Sequence, residues 1–295
     1  MTEVPARWRS LAALVFGATI VGLSPILVRL AEAGPAAVGF WRLAFAIPIL
    51  FTLSRRANPS PTQPSQTALL AGLFFALDLG FWHYGIRYTS VANATVLSNL
   101  APVVVIALGW VFLRERPRKL LVAAVGAAVG GAWMMSQSRG VATLLDQSLG
   151  DALSASTALW YGLYFLFMSR ARRGEPAARL MLWSSLAGAP LLLAAAAVLH
   201  EDLTPVTIIG WLACAGLGLM HVTGQGAVAW ALGRVPAPAA SVAMLLQPIV
   251  AGGLGWILFD EAIGRLQGLG AVITLSGVAL AQAVSRPAAQ PPEKP

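Results

Sequence analysis

Apolar runs of about twenty residues, separated by short polar or charged breaks, follow one another along nearly the whole chain. Wound as a helix at 1.5 Å per residue, such a run matches the ~30 Å hydrocarbon core of a bilayer. Ten runs are delimited, at 9–31, 35–53, 66–87, 91–113, 119–137, 150–169, 177–199, 205–231, 237–258 and 265–284. All ten are predicted as helices. A barrel would alternate apolar and polar residues in segments of about ten, whereas stretches such as Leu191 to Val198 are apolar on every face. The first run follows Arg7 and Arg9 and ends in a signal-like Ala31-Glu32-Ala33, but it exceeds the ~7–15 residues of a signal-peptide core and is kept as a span.

Composition sharpens this picture. Of the 295 residues, 57% are hydrophobic and only 11% charged, against about 25% charged in soluble domains, and the mean hydropathy is +0.72. The expectation is an all-α integral membrane protein with ten transmembrane helices. Cationic loops stay in the cytoplasm during insertion. With the N-terminus inside, fifteen Lys and Arg residues fall in cytoplasmic segments and four outside (Arg29, Arg87, Arg139 and Arg265), while Arg42 lies within a span. Both termini are therefore expected in the cytoplasm. The net charge of +8 reflects these loops meeting anionic headgroups, not a nucleic-acid surface. The expected partners are a small-molecule substrate and membrane lipid. Cys214, the single cysteine, excludes an internal disulfide and a cysteine metal site. No cofactor, metal or catalytic residue is predicted. The segment 54–65, with Asn58-Pro59-Ser60-Pro61, reads as a connector, and 285–295 as a Pro-rich disordered tail.

Displaced by 146 residues, the chain matches itself. Pro102 meets Pro248, Gly109-Trp110 meets Gly255-Trp256, Glu115 meets Glu261 and Gly131 meets Gly277, among eleven identities in the 38 positions from 94 to 131. Two fused five-helix repeats follow, 1–137 and 150–284, joined by a connector at 138–149. Because five is odd, the second repeat enters the membrane from the opposite side. Inverted repeats of this kind are characteristic of secondary transporters, with the substrate near the midplane between the halves.

Tyr84-Gly85-Ile86-Arg87-Tyr88-Thr89-Ser90, then Leu100-Ala101-Pro102 and Trp110 to Glu115, resemble the drug/metabolite transporter superfamily, specifically its EamA-type ten-helix members. Trp230 to Pro236, Leu246-Gln247-Pro248 and Gly255 to Glu261 repeat the resemblance in the second half, and Phe40-Trp41-Arg42 is similar to the second-helix arginine of members. Gly233 stands where the repeat would place a counterpart of Arg87, so the halves differ there. The resemblance implies an exporter. Members include carriers of amino acids, such as the YddG-type exporters of aromatic amino acids, and multidrug and nucleotide-sugar carriers.

Ionisable groups inside spans are costly and mark functional or structural sites. Arg42 and Asp78 lie equally deep from the cytoplasmic face, ~16 Å in, and are expected as an ion pair joining the second and third helices. A proton-carrying role for Asp78 is the competing reading. His83 and His221 are either neutral hydrogen-bonded residues or titrating ones. Asn99 and Gln247, each near a proline, and Gln225 are neutral polar candidates. They either bond between helices or meet the polar end of a solute. Pro102 and Pro248 are expected to kink the fourth and ninth helices. Trp82, Tyr84, Trp160, Tyr161, Tyr164 and Trp230 fall within spans, and Trp160 and Tyr164, four apart, are expected to form one aromatic wall. Gly126/Gly130 and Gly264/Gly268 are expected to pack the fifth and tenth helices against neighbours or a dimer mate. Monomer and homodimer both stay open. The resulting expectation is a secondary transporter of the bacterial inner membrane that exports small organic metabolites, best amino acids including aromatic and neutral ones, by alternating access. Multidrug or other metabolite efflux is the alternative. Signatures of intramembrane hydrolases, such as HExxH or GxSxG, do not occur.

Overall fold

Only a helix can satisfy its own backbone within one apolar run, and the structure obeys that constraint. It is a computed structural model that describes residues 3–57, 63–101, 103–104, 119–137, 144–171, 175–232 and 244–284. The second part of the fourth predicted span with Pro102 and Glu115, Gly233 and Arg234, the start of the ninth span, much of both connectors and the tail lie outside the described residues. Among those described there is no strand.

The helices are α1 (Glu3–Gly22), α2 (Ser24–Leu30), α3 (Pro35–Ala57), α4 (Gln66–Tyr88), α5 (Val91–Ser98), α6 (Lys119–Ser136), α7 (Leu144–Ala171), α8 (Ala177–Val198), α9 (Ile208–Met220), α10 (Gly226–Leu232), α11 (Leu246–Phe259) and α12 (Arg265–Val284), with a π turn at His221–Gln225 between α9 and α10. Among the described residues, five helical stretches, Trp8–Leu30, Pro35–Ala57, Gln66–Tyr88, Ala177–Val198 and Ile208–Ala231, are long and apolar enough to cross a membrane. The surface is apolar and the interior holds the polar groups: Trp133, Val198, Ile208 and Ile257 face outward, whereas Arg42, Asp78, Asn93, Asp151 and Gln267 are buried. Such an arrangement suits lipid and would be unstable in water.

Among the described residues, four predicted spans are interrupted. The first breaks at Leu23, because Pro25, in the opening turn of α2, has no N–H for the preceding turn. The eighth carries the π turn. In the fourth, α5 ends at Ser98 with Asn99 as its C-cap. In the ninth, a turn at Leu245 separates Met244 from α11, and Pro248 falls in the first turn of α11, where a missing N–H has no partner to lose. α7 starts at Leu144, six residues before the predicted boundary, with Asp146 in its first turn where the helix dipole favours a negative charge.

Packing pairs three first-half helices with their counterparts: α3 on α8, α5 on α11 and α6 on α12. The contact of α4 with α7 is matched by that of α1 with the π turn and α10. The counterparts run antiparallel. A Cβ on Gly39 would meet Leu192, and one on Gly188 would meet Leu43, so one helix advances as the other retreats. In α6 and α12 the backbones nearly touch. A Cβ on Gly131 would lie 2.6 Å from the Gly270 carbonyl oxygen, and one on Gly277 would lie 2.5 Å from the Ala128 nitrogen. The expected GxxxG pairs do not make this contact. Gly126, Gly130 and Gly264 face open space, because they lie on other sides of helices whose close faces are set by Gly131, Gly270 and Gly277.

Candidate functional site

α3, α4, α7 and the π turn bring one polar and aromatic cluster to the middle of the bundle. Phe75, fully enclosed, is its floor: its ring lies 4.7 Å from that of Tyr164 and 5.1 Å from that of His221, and the Arg42 guanidinium sits over it at 5.8 Å. Asp78 follows Phe75 by three residues and so shares its face of α4. Tyr161 stacks on Tyr164 at 6.0 Å, and Gln225, at the end of the π turn, lies beside the Tyr161 hydroxyl. A π turn adds one residue to a helical turn and re-aims the side chains around it. Here it directs His221 and Gln225 inward, and both are buried.

Arg42 and Asp78 lie within electrostatic reach of each other but form no ion pair, since no N–O contact within 4.0 Å joins them. The predicted pair is therefore corrected. Arg42 instead donates from Nη1 to Ser24 Oγ at 3.1 Å, a hydroxyl brought into place by the break at Leu23. Its Nε has no partner. The Asp78 carboxylate accepts no hydrogen bond from the described residues, yet its oxygens are not sealed by protein atoms, and the residue retains 8% of its surface.

The other predicted site residues divide. Tyr164, Gln225 and His221 join the cluster. Trp160 does not, and the expected wall with Tyr164 is replaced by Tyr161 with Tyr164. Trp160 stacks on Phe74 at 6.5 Å and meets Phe81 at 5.9 Å, on another side of α4 from Phe75. Trp82 is buried with Ile86, Ala94 and Val28. His83 Nδ1 lies 3.0 Å from the Pro35 carbonyl oxygen, which can only accept, so Nδ1 carries the proton and Nε2 is left without a partner. Tyr84 donates to Glu201 near the end of α4. Asn99 returns its amide to the Thr95 carbonyl oxygen at 2.9 Å, and Gln247 points its amide at Met244 Sδ at 3.3 Å, so both are occupied within their own helical segments. Trp230 is 39% exposed, because its neighbour Ala231 is the residue turned onto Leu14 of α1.

Sequence reasoning did not anticipate a second polar region, where α2 leads to α3, α4 to α5, α8 to α9 and α11 to α12. Arg29 pairs with Glu261 and donates to the carbonyl oxygens of Ile86 at 3.2 Å and Thr89 at 2.9 Å, closing the end of α4. Glu261 accepts from Val91 N at the start of α5, Glu201 from Ala36 N and Ala37 N at the start of α3, and Glu32 from Thr207 N at the start of α9. Each carboxylate thus meets the positive end of a helix dipole. Asp151 accepts from Thr89 Oγ1 at 2.7 Å and Asn93 Nδ2 at 3.1 Å, and Gln267 donates to Asn93 Oδ1 at 2.8 Å. The available signal was an acidic residue a few positions from a helix start, and the recurrence of Glu115 as Glu261.

Both halves of the chain match one family model, the EamA-like transporter family, over residues 8–137 and 148–282. Among similar proteins, an uncharacterized transporter of Archaeoglobus fulgidus is 26% identical over 272 residues, 92% of this chain and 95% of that one. The pseudopaline exporter CntI of Pseudomonas aeruginosa is 24% identical over 242 residues, 81% of this chain and 83% of its own. A probable terminal-alkyne amino-acid exporter of Streptantibioticus cattleyicolor is 29% identical over 148 residues, 50% of this chain and 47% of its own. A solved crystal structure superposes with a TM-score of 0.63 at 17% identity, over 92% of this chain and 96% of that one, a likeness of fold. With its all-helical body, lipid-suited surface and two copies of the family's repeat, this chain is a multi-pass membrane transporter and belongs to the EamA-like transporter family.

Proposed function

We propose that the chain is a ten-helix, inverted-repeat secondary transporter of the bacterial inner membrane that exports small organic metabolites, best amino acids including aromatic and neutral ones, by alternating access. The observation that carries this reading is the cluster of Arg42, Asp78, Phe75, Tyr164, His221 and Gln225, buried midway through a bundle whose outside is apolar, with Tyr161 partly buried beside them. Charged groups at that depth need a purpose, and aromatic walls with a few polar groups suit an amphipathic solute. The antiparallel pairing of counterpart helices supports the inverted repeat, because a two-fold axis that exchanges antiparallel neighbours lies across the helices, in the membrane plane. The Arg29–Glu261 region, which the charge bias places outside, supports a conformation closed on that face. Both termini are then cytoplasmic. The names of the Pseudomonas and Streptantibioticus relatives support export, and that of the latter, a probable terminal-alkyne amino-acid exporter, supports amino acids.

Multidrug or other metabolite efflux is the second reading. It is favoured by one observation: Asn99 and Gln247 are occupied within their own segments, which leaves an aromatic wall without those amides. Counterflow into proteoliposomes with a panel of labelled amino acids separates the two. Exchange of neutral or aromatic amino acids is the expected outcome; exchange of amphipathic cations alone would establish the alternative.

A further inference from the structure

Two opposite charges buried in one low-dielectric cluster attract strongly, and the simplest resolution is direct contact. Arg42 and Asp78 do not take it. The guanidinium is held back by Ser24 and by the face of Phe75, and has donors to spare, its Nε among them. The carboxylate, on the same face of α4 as Phe75, accepts no hydrogen bond from the described residues and keeps 8% of its residue's surface. Each charge therefore lacks a full set of partners, and the two missing sets are of opposite sign.

We infer that Arg42 and Asp78 are the two poles of one site that reads zwitterions: Arg42 takes the carboxylate of the solute, Asp78 takes its ammonium group, and the surface of Phe75, Tyr161 and Tyr164 takes its apolar side chain. The inference rests on the transporter reading given above and names the substrate chemistry of that same cluster. Charge balance separates the candidates. A zwitterion leaves both poles paired and the site neutral. A cation satisfies Asp78 and strands Arg42, and an anion does the reverse, so either monopolar solute leaves a buried charge without its counterion. Guanidinium and carboxylate are matched in geometry, the guanidinium offering two parallel N–H donors to the two oxygens.

The test uses the purified full-length chain and three probes of similar shape: phenylalanine, phenethylamine, which lacks the carboxylate, and 3-phenylpropionate, which lacks the ammonium. In titration calorimetry of the unaltered protein, phenylalanine is expected to bind at least about tenfold more tightly than either monopolar probe, the loss that follows from one charge-assisted hydrogen-bonding partner. Asp78→Asn should bring phenylalanine down to the level of 3-phenylpropionate while leaving the latter unchanged or improved. Arg42→Gln should bring it down to the level of phenethylamine. Equal binding of the three probes by the unaltered protein, or binding of none, overturns the inference without recourse to any variant. Counterflow run in parallel keeps the two readings apart. Exchange of any amino acid or amine with equal probe affinities removes the zwitterion site and leaves a transporter, whereas the absence of all exchange removes the transporter reading itself.

Discussion

At the scale of single residues, the cluster turns on which side of α4 each aromatic meets. Trp160 and Tyr164 are four apart on α7 and read as one face in the sequence. α4 nonetheless divides them: Phe74 and Phe81 take Trp160, and Phe75 takes Tyr164. Periodicity within one helix gives the angle between two side chains; it carries no information on the neighbour that each one meets. Trp160→Ala should therefore act on stability, lowering the thermal midpoint as truncation of a half-buried aromatic does, by about 2 kcal/mol, with the ranking of transported solutes preserved. Tyr161→Leu should change that ranking instead, lowering exchange of aromatic amino acids relative to small neutral ones, since a stacking contact of about 0.5–1.5 kcal/mol is open only to an aromatic solute. Counterflow with paired labelled amino acids checks both. A ranking altered by Trp160→Ala and untouched by Tyr161→Leu would place the site on the other side of α4.

Among elements, the apolar runs located the described helices, because length and hydropathy are properties of the chain itself. The breaks at Leu23 and at the π turn were not legible. Pro25 and the glycines around the π turn, Gly224 and Gly226, are common in membrane helices, and only the packing of Gly224 on Ile20 and Val21 singles one out. The α6–α12 contact uses glycines outside the GxxxG spacings, since spacing finds candidate close faces and the partner helix decides among them. Gly131→Val and Gly277→Val should each disrupt the α6–α12 contact and reduce the yield of folded protein. Gly126→Ala and Gly130→Ala should be neutral or slightly stabilising, by up to about 1 kcal/mol of helix propensity. Thermal unfolding in detergent measures the contrast, and equal effects at the four positions would refute the assigned faces. The Arg29–Glu261 contact spans elements from both halves. A double-mutant cycle with Arg29→Gln and Glu261→Gln should give a coupling of about 0.5–3 kcal/mol in unfolding, whereas strict additivity would show the pair to be incidental.

For the whole molecule, charged residues outside the cytoplasmic loops serve as joints. Arg29, one of the four cations counted outside, and Glu32, Glu201 and Glu261 each hold helix ends in the structure. This role depends on helices distant in the chain, Glu201 and Ala36 for instance, and so was beyond the reach of local pattern. The orientation has its own test. With Cys214→Ala as background, Thr204→Cys should react with a membrane-impermeant thiol reagent in intact cells and Gln63→Cys should not. Reversed labelling would invert the topology and with it the proposed direction of export.

Alternating access to the cluster at Arg42, Asp78 and Tyr161 is most directly tested at Tyr161, through Tyr161→Cys in the Cys214→Ala background, with the thiol reagent applied to right-side-out and to inside-out vesicles. Labelling from both sides, slowed in each case by phenylalanine, is the expected result. Labelling from one side alone, or at a rate indifferent to solute, would contradict a central site that opens in turn to the two faces of the membrane.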